Sequence, residues 1–316
     1  MAEVLTFFSP DFLFSVIRVS TPLLFVALAA MISKRAGIMH IAFESIMLWA
    51  ALWGVIGSAM SQSVVVGLIS GVVFGVFISV SIGFFSMKMK TDLILASIAF
   101  NTLATGGTVF VLYLVCRDKG ISSSLKSLVC PQISIPILRK IPFLGQVLSG
   151  HNILTYLAFV CVPLCYFLLY KTQIGLSLRA VGENSDAAES VGISVTKTRY
   201  FALIVSGVLA ALGGCFMSMG YLPWFTRAMT AGRGFIGIAA QNIGGGEPLG
   251  TLLATLIFGL ADAMSNTIQS GKIPTEIIQM IPYATTLLSM VFYSGKKITK
   301  RRKVKNNESL FCKAQS

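Results

Sequence analysis

Residues 63–86 read SVVVGLISGVVFGVFISVSIGFFS, a stretch with no charged residue and no proline. About 18 apolar residues in helical form cross the ~30 Å of hydrocarbon in a bilayer, so this stretch is long enough to span one. Outward from it the pattern repeats. Apolar runs cover residues 12–32, 41–60, 93–115, 152–170, 200–220, 249–270 and 276–293, and a shorter piece at 234–243 ends in GGGEP. Lipid leaves only helices and closed barrels as spanning structures. The period-two alternation of a barrel strand is absent. The fold class is therefore all-α: a polytopic transmembrane helix bundle of about 8–9 membrane segments, some of them broken or re-entrant. The bundle occupies residues 1–295, and residues 296–316 form a basic tail.

Composition agrees. The 316 residues are 55% apolar and 12% charged, where a soluble domain carries roughly 25% charged. The net charge is +13, and KKITKRRKVK (Lys296 to Lys305) supplies seven basic residues and no acid. Directly after an apolar span, that run reads as an anchor beside anionic lipid headgroups rather than as a nucleic-acid site. The six cysteines show no CxxC pair and no Cys/His metal spacing. Cys161, Cys165 and Cys215 lie in apolar runs and read as packing residues. Cys116 and Cys130 share one polar loop, where a disulfide and free thiols are both open readings. The N-terminus MAEVLTFFSPDF has no positive n-region, so the first span is expected to stay in the mature protein.

Lys and Arg in short loops set orientation. SKRAG (Ser33–Gly37), MKMK (Met87–Lys90), the 171–199 segment and the tail are basic. Alternation puts the first three inside and the 116–151 loop outside, although that loop also carries Arg117, Lys119, Lys126, Arg139 and Lys140. The basic charge of the tail puts it inside as well. An even number of crossings must then separate 171–199 from the tail. The full spans make three, so the short piece near 234–246 must supply the fourth as a thin or broken helix, and the N-terminus falls outside. Two regions read as broken helices: KRAGIMHIAFESIMLWAALWG (Lys34–Gly54) and GYLPWFTRAMTAGRGFIGIAAQNIGGG (Gly220–Gly246). Both put glycine and polar groups at membrane depth, which is tolerated only where the backbone is buried in protein or lines a wet cavity. Interrupted segments in two halves of a chain point to a transport pathway.

Catalytic groups are not displayed. No G-x-x-x-x-G-K-[ST] phosphate loop occurs. The two histidines, His40 and His151, lack the partners of a metal site or a nucleophilic triad. Neither a catalytic residue, a metal nor a cofactor is expected. A charge at the centre of a span costs ~2.5–3.5 kcal/mol on insertion scales, so the polar groups inside spans are the functional candidates. His40 and Glu44 share a helix face if their segment is helical. Asn101 sits mid-span, Gln241 and Asn242 precede the glycine break, and Asp262 lies in FGLADAMS (Phe258–Ser265). Each also has a packing reading. Asn101 could bond a neighbouring helix, Glu44 could fix a helix end through backbone N–H groups, and Asp262 could tie helices together. Arg18 is near one end of its span and snorkels.

The stretch Lys171–Tyr200 is too polar to cross a bilayer. It holds a helix-forming core, SDAAESVG, with Asn184 or Ser185 as N-cap and Gly192 as stop. A short exposed helix between two spans is a docking peg for a soluble partner. Here the chain resembles a family. GLSLRAVGENSDAAESVGISVTKTRYFALIVSGVLAALGG (Gly175–Gly214) is similar to the coupling segment and next helix of the inner-membrane permeases of ABC importers for branched-chain amino acids, simple sugars and nucleosides. TPLLFVALAAMISKRAGIMHIAFESIML (Thr21–Leu48) resembles the family's first helix and its Ala-Gly-Val-x-Asn-Ile-Gly-x-Glu-Gly segment. GRGFIGIAAQNIGGGEPLGTLLATLIFGLADAM (Gly232–Met264) resembles its later broken helix and next span. The resemblance covers roughly residues 20–290 and is closest to the shorter permease of nucleoside importers.

The resemblance implies a mechanism and partners. Residues 1–295 would be the transmembrane permease domain, with 171–199 as its cytoplasmic coupling segment, in a bacterial plasma (inner) membrane. Arg179, Gly182, Glu183, Asn184, Ala187, Ala188 and Gly192 would couple to a cytoplasmic ATP-binding subunit, which does the hydrolysis. A second permease would make a heterodimer, and an extracytoplasmic substrate-binding lipoprotein would deliver cargo; membrane lipids surround the bundle, and nucleic acid has no part. The candidate pathway comprises His40, Glu44, Phe100, Asn101, Trp224, Phe225, Gln241 and Asn242. Phe100, Trp224 and Phe225 are aromatics available for stacking on a nucleoside, with sugar and branched-chain amino acid as alternative cargoes. The chain departs from the family pattern at His40, usually Asn, and at Ser45, usually Gly, and Gln241, Asn242 and GGGEP replace a more apolar run. An ion-coupled secondary transporter is disfavoured because Glu44 and Asp262 are the only mid-span acids. An intramembrane enzyme is disfavoured by the missing nucleophile–base or metal set.

Overall fold

The computed structural model describes residues 9–134 and 144–268. The first helix, α1 (Pro10–Arg35), starts where sequence rules put a start: the Ser9 hydroxyl accepts from Phe12 N, proline is at the first helical position, and Asp11 lies in the first turn. Lys34 and Arg35 close its last turn. Then come α2 (Phe43–Ser61), α3 (Val64–Met87), α4 (Leu93–Cys116), a short α5 (Leu144–Leu148), α6 (Ile153–Lys171), α7 (Gln173–Glu183), α8 (Ser185–Ser190), α9 (Val195–Phe216), α10 (Arg233–Ile243) and α11 (Pro248–Ile268). A π-helical turn, Met217–Tyr221, extends α9. Seven of these helices are long and apolar enough to cross a membrane: α1, α2, α3, α4, α6, α9 with its π turn, and α11. The expected run at 276–293 and the tail at 296–316 lie outside the described residues.

The helix α1 is the hub, with α9, α10 and α11 packed along it. Lipid offers no hydrophobic drive between helices, so close approach of backbones does the work. Glycine permits it at two crossings. A side-chain carbon on Gly71 of α3 would lie 2.7 Å from the Ala50 carbonyl oxygen, and one on Gly214 of α9 would overlap Met47 backbone. By contrast, α4 buries one stripe (Ala96, Ser97, Ala104, Thr108, Leu112) against α2 and α3, and among the described residues most of its circumference is uncovered.

Contacts sort the connections into two ends. At one, the basic end, Lys34 donates to Asn242 Oδ1, Arg35 donates to the Gly246 carbonyl, and Gly37 abuts Gly182. At the far end, Leu128 N donates to Ser58 Oγ, Ser127 Oγ to the Pro223 carbonyl, and Cys130 N to the Met219 carbonyl. The chain leaves the far end after Tyr221 and reaches the basic end at Gly246, by a loop through Thr226 and then the 11-residue α10. This leg is built from irregular backbone and a half-length helix. The following helix, α11, returns, with Ala263 packed against Phe12 and Val16 near the start of α1.

Cys116 and Cys130 are free thiols, and burial pushes the Cys130 thiol up to about 11. Cys161, Cys165 and Cys215 are buried among apolar neighbours, the packing role their positions imply.

Candidate functional site

Irregular backbone inside the bundle is met by side chains from other helices. Between α1 and α2 the chain turns back through residues 36–42. Its polar groups find partners on α4: Ile41 N donates to Ser97 Oγ at 3.3 Å, Asn101 Nδ2 donates to the Ile41 carbonyl at 3.0 Å, and Ser45 N donates to Asn101 Oδ1 at 3.0 Å. One amide thus bridges both sides of the break. Asn101→Leu removes a donor and an acceptor at once, leaving two partly buried backbone groups unpaired. The expected cost is about 1–3 kcal/mol for each such group, seen as a lower midpoint in thermal unfolding of the purified chain; an unchanged midpoint would show that water replaces the amide.

Glu44, in the first turn of α2, serves a helix nearly 200 positions away. Its Oε1 accepts from the Thr230 hydroxyl at 2.5 Å and from Gly232 N at 2.9 Å, and its Oε2 accepts from Gly234 N at 2.8 Å. The start of α10 has no side-chain cap of its own, since its N-cap is Gly232 in the left-handed region at φ 75°. The first N–H groups of a helix lack intrahelical acceptors, and an anion there also meets the favourable end of the helix dipole. The geometry is that of Glu44 fixing a helix end. Asp262 similarly pairs with Arg233 at 3.1 Å, both side chains less than a fifth exposed, joining α11 to α10.

The other pathway candidates divide. His40 is buried and stacked on Phe43 at 4.2 Å, and neither ring nitrogen has a partner among the described residues. It faces a small cavity of about 50 Å³ also lined by Lys34, Gln241 and Asn242. The polar candidates His40, Gln241 and Asn242 therefore converge near the basic end. Phe100 lies on α4 with its ring edge-on to Phe85, 5.9 Å away, beside an apolar recess of about 470 Å³. Trp224 and Phe225 sit at the far end. Trp224 is exposed, while Phe225 is fully buried and tied through its backbone to Ser122. The three aromatics are not brought together in one chain. Thr230, Gly232 and Arg233 complete the Glu44 and Asp262 contacts, and sequence reading did not single them out; the run T-x-G-R-G just before a helical stretch was the available signal.

At the basic end, α7 lies along the bundle with Gly175, Leu178 and Val181 buried. Arg179 places its guanidinium 5.0 Å over the Tyr170 ring. The Gly182 α-carbon passes so close to α1 that an added side-chain carbon would overlap the Arg35 carbonyl. The chain then turns outward. Asn184 caps α8, accepting from Asp186 N and Ala187 N at 3.1 Å each, and Gly192 at φ 86° ends it. Only Ala188 is buried in α8, while Glu183, Asn184 and Ala187 face out beside Val191, 75% exposed.

The sequence matches the model of a permease family, described as the permease component of the branched-chain amino acid transport system, over residues 12–290. It is 30% identical over 295 residues to the nucleoside ABC transporter permease protein NupC of Lactococcus lactis, covering 88% of this chain and 90% of that one. Identity to the guanosine ABC transporter permease protein NupQ of Bacillus subtilis is also 30%, over the same shares. A Haloferax volcanii protein named "Putative glucose ABC transporter permease protein TsgC13" is 29% identical over 83% of this chain and 79% of that one. With a multi-pass helical bundle on one side and a family match across most of its length on the other, the chain belongs to the branched-chain amino acid transport system permease family.

Proposed function

We propose that the chain is the membrane-spanning subunit of an ATP-driven importer, that its cargo is a nucleoside, and that α7 and α8 form the cytoplasmic seat of a separate ATPase. The observation that carries the reading is the outward-facing α8, held by its Asn184 cap on a segment wedged against α1, in a chain whose relatives of matching length include nucleoside and guanosine permeases. A coupling element needs a rigid, shape-complementary projection and no catalytic group. The bundle supplies this: α8 is short and capped, and its mount, α7, buries one face on the helices it would move. The sparse cover on α4 supports a second permease packed there, with the pathway between the two chains. An extracytoplasmic binding lipoprotein would deliver cargo at the far end. The glucose permease relative favours a sugar as the second cargo reading.

Uptake of labelled guanosine and adenosine by cells lacking this chain should fall to background and return with the intact gene, and leucine and glucose uptake should stay unchanged. Loss of glucose uptake with nucleoside uptake intact would transfer the cargo to a sugar.

A further inference from the structure

A cavity of about 200 Å³ opens at the basic end, between the coupling segment and the end of α10. Three elements far apart in sequence form its wall: Lys34 and Arg35 end α1, Arg179 and Glu183 lie on α7, and Gln241 and Gly246 flank the end of α10. Cationic side chains outnumber the carboxylate three to one. Gln241 is 1% exposed, yet among the described residues its Nε2 donor has no partner. Arg179 Nε is likewise buried without one. Native proteins rarely leave such donors unanswered, and an unanswered one beside a cavity marks a place for an acceptor. The Gln241 donor and the Arg35 guanidinium converge, with Arg179 on the same cavity wall. A point one bond off the Gly246 α-carbon, in the side-chain direction, is 3.5 Å from Gln241 Nε2 and 3.6 Å from both Arg35 Nε and Arg35 Nη2. Arg35 is held in that attitude by its bonds to the Gly246 carbonyl at 3.1 and 2.9 Å.

We propose that this cavity binds a phosphate-class oxyanion, either a free phosphate or the phosphodiester of a lipid headgroup, through Arg35, Arg179 and Gln241. Guanidinium groups match the oxygen spacing of phosphate and bind it with charge-assisted hydrogen bonds. The cavity lies at the last turn of an apolar helix, where basic side chains reach headgroup level, so both sources have access. An anion seated there joins α7 to α1 and α10 and holds the α7–α8 projection against the bundle.

The test uses the purified full-length chain. Thermal unfolding is followed in rising sodium phosphate against sodium chloride at equal ionic strength. Separately, native mass spectrometry counts phosphatidylglycerol retained after reconstitution and re-extraction. Saturable stabilisation by phosphate assigns a free anion, and one retained phosphatidylglycerol per chain assigns a headgroup. In either case Arg179→Gln should weaken binding about tenfold, the loss expected for one charge-assisted hydrogen bond. Gln241→Leu keeps the volume and removes an unpaired donor, so it should hold or raise the midpoint without anion while still weakening the anion response. Equal effects of phosphate and chloride with no retained lipid, or an undiminished response in both variants, would overturn the proposal.

Discussion

Glu44→Ala should destabilise the chain by about 3 kcal/mol or more, because three donors lose one acceptor together. The Thr230 hydroxyl, Gly232 N and Gly234 N all point at this carboxylate, and the backbone they belong to opens a helix that has no other cap. Native domains are stable by only about 5–15 kcal/mol, so the variant would be a large fraction of the way to unfolding. Thermal unfolding in detergent should rank the series. Glu44→Ala falls furthest. Glu44→Gln lies between, since it keeps one acceptor oxygen but turns an NH₂ toward a donor. Thr230→Val is mildest, because the carboxylate retains both backbone bonds. A Glu44→Ala midpoint equal to that of the unaltered chain would remove the interhelical cap from the account.

The existence of this junction was legible in the sequence, but its partner was not. A carboxylate at membrane depth and two glycine-broken segments announced that irregular backbone had to be served. Which donors Glu44 serves depends on bringing residue 44 beside residue 230, and no local pattern encodes that pairing. The same holds for Asn101, whose amide reads as a polar group in an apolar span until Ile41 and Ser45 are set against it. Signals confined to a few residues carried through. Asn184 with Gly192 bounds a helix as capping rules require. Parity of basic loops called for a leg near 234–246, and the chain makes it between the two ends. Near 234–246 it is the short helix α10, as expected of a broken helix, and the stretch before it is a loop, because Pro223 and the positive-φ residues Ala228, Ala231 and Gly232 interrupt helical geometry. The π turn at Met217–Tyr221 left no trace in the apolar pattern, since one extra residue per turn does not alter composition. The aromatics grouped on chemistry alone, Phe100 with Trp224 and Phe225, fall at different levels of the bundle because stacking potential says nothing about depth.

Gly182→Ala should cut uptake at least about tenfold, equivalent to ~1.4 kcal/mol on the limiting step, while the chain still inserts in the membrane. The reason is local. The new methyl would overlap the Arg35 carbonyl and lie 3.2 Å from Gly37 N, both of them backbone atoms. Backbone cannot rotate aside as a side-chain tip can, and overpacking of this kind costs typically about 1–3 kcal/mol. Relief must come from α7 lifting off α1, the seam through which an ATPase pushing on α8 would transmit its stroke. Gly120→Ala makes the same chemical change at the far end, where the nearest atom is an Asp118 carboxylate oxygen at an ordinary 3.5 Å, and should transport normally. Uptake and ATP hydrolysis measured together separate the outcomes. Hydrolysis that continues while uptake fails places the defect in transmission across the α1–α7 seam. Equal uptake by both variants would mean that the bundle moves without that seam staying closed, and the projection formed by α8 would then need another route to the helices that line the pathway.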